Sequence, residues 1–300
     1  MQVFQPVNIQ VDGTGLRTKA IVDAYERKTL QVRQKIVSAP FGLAALDLIG
    51  KTASNQIVIW PGMRGSSPGA HSKAGAKAFS PDFEIVEANG VKHRGEGGGG
   101  LSVIDYNPRA DFGGMPADVT LLHELVHAWR QSNGRWKPVS MFDLVSLDAA
   151  RELDGGDKSN DPRAKIAKRF ENWEEFLALV VEGVYSSQQG AKSVRTAQNG
   201  PFASLFMAMP SGPQTPTPWN PVPLSDSQQF AQLYRPAIIR IMSEELALYK
   251  LMLGANAWFN PVRDLAQLST YKASLPPVRD ISPPPGMFDG ADSYKLSDFY

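Results

Sequence analysis

The sequence predicts an α+β fold, mostly helical, with a small sheet beside its strongest helix. Apolar residues recur at helical spacing in four long segments. Three short apolar runs bounded by Gly, Pro or Asn read as strands. The last of these runs leads directly into the segment with the clearest helix-boundary signals. One domain over residues 1–275 is expected, followed by a proline-rich tail over 276–300.

Thr18 to Val37 forms the first helical pattern, through Ala20, Ile21, Ala24, Leu30, Val32, Ile36 and Val37, with Pro40 beyond it. Phe41 to Ile49 is a short apolar stretch ended by Gly50. Gln56 to Trp60 reads as a strand stopped by Pro61-Gly62, and Met63 to Ser80 as a loop rich in Gly, Ser, Ala and Lys. Phe83 to Ala88 is strand-like, with a turn at Asn89-Gly90. The glycine run Gly97 to Gly100 has no phosphate-cradle spacing. Leu101 to Tyr106 is the third strand, closed by Asn107-Pro108.

The strongest helix follows. Pro116 suits its first turn, Asp118 puts negative charge near its start, and Gly134 sits where a left-handed cap belongs. The stretch from Met141 to Asn160 is mixed, and its acidic turn Asp154 to Asp157 lacks calcium-loop spacing and reads as solvated. Pro162 to Ser186 reads as one helix. Pro210 to Pro223 is a proline-dense spacer. Ser225 and Gln228 give a capping-box signal for a long helical pattern to Leu253, kinked at Pro236 and stopped by Gly254.

Bulk composition narrows the function. The chain has 300 residues, 42% hydrophobic and 20% charged, so a sizeable core can be buried. A net charge of +1 without basic runs argues against a nucleic-acid or membrane-surface binder. With no cysteine, disulfides, thiolate nucleophiles and cysteine-ligated metals are excluded. No apolar stretch approaches a membrane span. Met1 to Pro6 shows no basic region leading into an apolar one, so no cleaved signal peptide is expected.

Only four histidines occur, and two of them stand in His123-Glu124-Leu125-Val126-His127. Residues four apart share a helix face, so both imidazoles can reach one ion. A catalytic zinc takes three protein ligands and a water. Glu124 is placed to act as the base that takes a proton from that water. The apolar neighbours Leu121, Leu122, Leu125, Val126 and Trp129 put the pair on a buried helix. Arg130, one turn past His127, could pair with a carboxylate or the substrate, against its plainer reading as a surface arginine. His71 and His93 fall in loops and read as solvated.

No histidine follows His127, and Asn133 stands where an extended three-histidine motif needs one. A carboxylate is therefore favoured as third ligand. Asp143, Asp148, Glu152 and Asp154 are possible, but the helix Asn172 to Glu182 is better. Its stripe of Trp173, Phe176, Leu177, Val180 and Val184 places two glutamates in dense apolar sequence. Helix geometry alone favours Glu174, which lies nearer the stripe. Against this, Glu175-Phe176-Leu177-Ala178 resembles the Glu-x-x-Ala element that supplies the third ligand in gluzincin peptidases, and Glu175 is taken as the ligand on that ground. Tyr185 is a candidate to support the tetrahedral oxyanion, against its ordinary role as a tyrosine at the core edge.

The stretch Ile104 to Pro108, a short loop, then Leu121 to Arg130 and Gly134 resembles the NleD type of bacterial effector zinc metallopeptidase. The likeness spans roughly Leu101 to Tyr185. It implies a single-domain zincin-like fold, with zinc held by His123, His127 and one of Glu174 or Glu175, and with Glu124 as base. It also implies secretion without a cleaved signal, entry into a host cell, a role in virulence and host proteins as substrates; a secretion chaperone would be a further partner. A housekeeping peptidase of the cytoplasm differs only in location. A different class, a zinc-binding interaction protein without catalysis, is the alternative, and the intact Glu124 argues against it. Specificity is expected in the loops Met63–Ser80 and Met141–Asp161.

Overall fold

The computed structural model describes residues 2–4, 8–61, 71–74, 84–86, 92–94, 99–109, 115–153, 161–198, 206–208 and 226–268. Among them the fold is α+β and mostly helical, with ten α-helices and a small sheet whose three central strands run parallel. Residues 1–265 make one compact unit. Residues 266–300 make a second, of which only 266–268 are described.

The five-stranded sheet has the order β1 (Gln2–Phe4), β2 (Ile9–Val11), β3 (Ile57–Pro61), β7 (Ser102–Tyr106) and β4 (His71–Ala74). β2, β3 and β7 are mutually parallel, and β1 and β4 run antiparallel at the edges. The apolar runs at residues 56–60 and 101–106 are strands of the sheet: Ile57 and Ile59 pair with Ser102 and Ile104, all buried on one face. β5 (Glu84–Val86) and β6 (Lys92–Arg94) form a separate hairpin. His71 and His93 thus lie in strands rather than loops, and the solvation of their side chains lies outside the described residues. So do the expected turn at 89–90, the acidic loop 154–157, the spacer 210–223 and the tail 276–300.

α1 (Lys19–Val37) starts where Thr18 turns extended and its hydroxyl accepts from the Ile21 N–H. Residues 40–52 form α2, with Pro40 at its start and Phe41, Ala45, Leu46 and Ile49 buried. α3 (Ala117–Ser132) leaves the end of β7, where the Tyr106 hydroxyl donates to the Ala117 carbonyl. Pro116 is the residue just before this helix rather than in its first turn. Gly134 ends it at φ +66°, in the left-handed region that glycine adopts without penalty. Gly99 packs against that same end, where a β-carbon would meet the Ser132 carbonyl at 1.9 Å. α3 is buried along its length, packed against α1, α2, the sheet and α6.

The expected helix over residues 162–186 is two helices, α5 (Arg163–Ala167) and α6 (Trp173–Gln188). Asn172 makes the break: its backbone is extended and its side chain accepts from the Glu174 and Glu175 N–H groups. Before α5, part of the expected loop is a 3-10 turn at Phe142–Leu144 and α4 (Leu147–Leu153). The expected long helix to Leu253 is three: α7 (Asp226–Leu233), α8 (Arg235–Glu244) and α9 (Leu246–Leu253). Pro236 starts α8 instead of kinking a continuous helix, because its missing N–H costs nothing in a first turn. α10 (Pro261–Gln267) follows. β8 (Ser193–Arg195) and β9 (Phe206–Ala208) form a small antiparallel pair behind α6.

Candidate metal centre

α3 and α6 pack face to face, and their contact builds the site. His123 and His127 project from successive turns of α3, with their Nε2 atoms 3.1 Å apart. Glu175, in the first turn of α6, brings Oε2 to 3.3 Å from each Nε2. The three atoms form a near-equilateral triangle in a buried setting. Atoms bound tetrahedrally at 2.0–2.1 Å from one ion lie about 3.3 Å apart. The triangle therefore has the edge length of a tetrahedral metal site with one vertex left over. Among the described residues this is the one cluster of such side chains that could hold a metal ion.

Behind the triangle, His123 Nδ1 lies 2.7 Å from Glu182 Oε2. Arg195 of β8 grips the same carboxylate through Nε at 3.1 Å and Nη2 at 3.0 Å. Burial pushes the His123 pKa down, but the hydrogen bonds with Glu175 and Glu182 outweigh it and hold the ring up at about 10. Burial pushes Glu175 the other way, yet the two histidines keep its carboxyl well below the usual range. Glu182 is likewise held low against its burial, chiefly by the Arg195 charge. His127 has no such partner on Nδ1, and its ring meets Trp136 edge-on at 5.1 Å. Glu124 is buried beside His123 on α3, and its charge adds to the field on that ring.

The neighbouring Glu174 does something else. Its carboxylate accepts from Arg130 Nε at 2.8 Å and Nη2 at 3.0 Å, and from the Lys137 N–H at 2.7 Å. Nearness to the apolar stripe did find the more deeply buried glutamate, at 1% exposure. That burial serves an ion pair rather than the triangle. Arg130, read as a surface residue, is 1% exposed; it also binds Glu244 and Glu245 and lies over the Trp173 ring. Asp143, Asp148 and Glu152 are not part of the triangle, and Asp154 lies outside the described residues.

Tyr185 is not brought to the triangle. Ten residues beyond Glu175 on one helix, it sits about 15 Å further along the axis. Its hydroxyl donates to Asp118 Oδ2 at 2.8 Å and accepts from Gln189 Nε2 at 2.6 Å. Asp118 in turn pairs with Lys35. The phenol pins α1, α3 and α6 together at their far ends.

Sequence reasoning missed Glu182 and Arg195. The available signal was the spacing from Glu175 to Glu182, seven residues, which returns to the same helix face. The chain matches no protein-family model, no curated protein and no solved structure.

Proposed function

We propose that this protein is a zinc-dependent endopeptidase of zincin-like fold. The triangle of His123, His127 and Glu175, with donor atoms 3.1–3.3 Å apart, carries the reading. Two imidazoles and one carboxylate are a donor set that would hold zinc together with a water. Zinc, when bound, supplies acidification of that water and polarisation of a carbonyl. Glu124, next to His123 on the same turn, accepts the proton that the water loses and delivers it to the leaving amine. The new carbon–oxygen bond replaces the carbon–nitrogen bond, and the products are a carboxylic acid and an amine. Glu182 keeps His123 oriented throughout. Tyr185 has no part in this scheme.

Host proteins as substrates, and delivery into a host cell, rest on the resemblance of residues 101–185 to NleD-type effectors. Among the described residues no helix is long and apolar enough to cross a membrane. The test is cleavage of a peptide library by wild type, chelated protein and Glu124→Gln. Zinc-dependent cleavage that Glu124→Gln abolishes while keeping its zinc supports the reading. Cleavage that survives in Glu124→Gln or in chelator overturns it.

A further inference from the structure

Two carboxylates of α6 reach the histidines, and only Glu175 faces both Nε2 atoms. Glu182 approaches from the opposite side of the His123 ring, at Nδ1. It is 2% exposed within the apolar run from Phe176 to Val184. A carboxylate in such a place needs a cation and hydrogen bonds to stay ionised. Arg195 supplies both as a two-pronged fork on the two oxygens, at 3.1 and 3.0 Å. Glu182 Oε2 also accepts from His123 Nδ1–H at 2.7 Å. With Nδ1 carrying the hydrogen, Nε2 is the nitrogen whose lone pair is offered to an ion.

The two histidines differ in this respect. His127 has a buried Nδ1 without a hydrogen-bond partner; its ring packs against Trp136 and His123, and only its Nε2 faces a carboxylate, that of Glu175. Carboxylate support on the Nδ1 side is therefore confined to His123.

We propose that Glu182 and Arg195 are positioning residues: acting as a unit through His123 Nδ1, they fix the tautomer and raise the metal affinity of the site. This rests on the metal-centre reading above. It also ties the β8–β9 pair to the site, because Arg195 is the last residue of β8. Loss of a carboxylate behind a metal-binding histidine costs on the order of 10–100-fold in affinity.

The experiment is zinc affinity, by competition with a chromophoric chelator, for wild type, Glu182→Gln, Arg195→Gln and the double variant. Each single change is expected to weaken zinc by about 10–100-fold. The double variant is expected to be no weaker than Glu182→Gln alone, since Arg195 acts through Glu182. The visible spectrum of the cobalt-loaded protein is expected to shift in Glu182→Gln, which a purely structural pair would not cause. Should Glu182→Gln fail to fold, Arg195→Lys, which keeps the charge and loses the fork, is expected to fall between wild type and Arg195→Gln. Wild-type affinity in the folded single variants, or losses that simply add in the double variant, overturn the proposal. A wild type without zinc affinity overturns the metal centre itself, and this proposal with it.

Discussion

Two buried charge networks flank the contact of α3 with α6, and adjacent residues, Glu174 and Glu175, belong to different ones. In the first, three carboxylates meet three guanidiniums: Glu174, Glu244 and Glu245 against Arg130, Arg135 and Arg240. The chain supplies its own neutrality there, and the Glu245 contacts sit at the break between α8 and α9. In the second, Glu175 and Glu182 face the histidines with one guanidinium, Arg195, on the Glu182 side. With the Glu124 carboxylate buried beside His123, that network is short of positive charge when both imidazoles are neutral. A proton on His123 reduces the deficit, and so would a cation on Nε2. The balanced network is a clamp; the unbalanced one could hold a metal ion.

The largest effect should come from breaking the clamp. Arg130→Met leaves Glu174 and Glu245 buried without their central partner. It should cost about 3–5 kcal/mol of stability in denaturant unfolding. A loss under about 1 kcal/mol would mean that the remaining arginines already neutralise the cluster.

A paired substitution sharpens the division between the adjacent glutamates. Glu175→Gln should lose zinc by more than the 10–100-fold expected for a residue behind a ligand. Glu174→Gln should keep zinc and lower the unfolding midpoint. The reverse pattern in metal content would exchange their roles.

The smallest effect is expected at the far end of α6. Tyr185→Phe removes the hydroxyl from Asp118 and should cost about 1 kcal/mol, with zinc content and cleavage rate unchanged. A drop in turnover of about 100-fold is what a residue supporting the oxyanion would show instead.

The site was more legible than the fold around it. His123, Glu124 and His127 stand within five residues, and the helix that carries them has its boundary signals in Asp118 and Gly134. The strands β3 and β7 were visible because each is a short apolar run closed by a turn signal, Pro61-Gly62 or Asn107-Pro108. β1 and β2 have three residues each, too few for a period to show. Asn172 before Glu174 and Glu175 is a readable cap, yet the apolar pattern running through it hid the break between α5 and α6. The burial of Arg130 was not readable at all. Its partners Glu244 and Glu245 lie more than a hundred residues away, and only the packing of α8 and α9 brings them in. Glu182 was hidden for a different reason: in sequence it looks like one more flank residue, and its meaning depends on Arg195 across a loop.

The most direct test of the central claim is metal content measured beside peptide cleavage in the same preparations of wild type and Glu124→Gln. One zinc per chain in both, with cleavage only in the wild type, is the predicted result. Absence of zinc from the wild type, or equal cleavage by the two proteins, would contradict it.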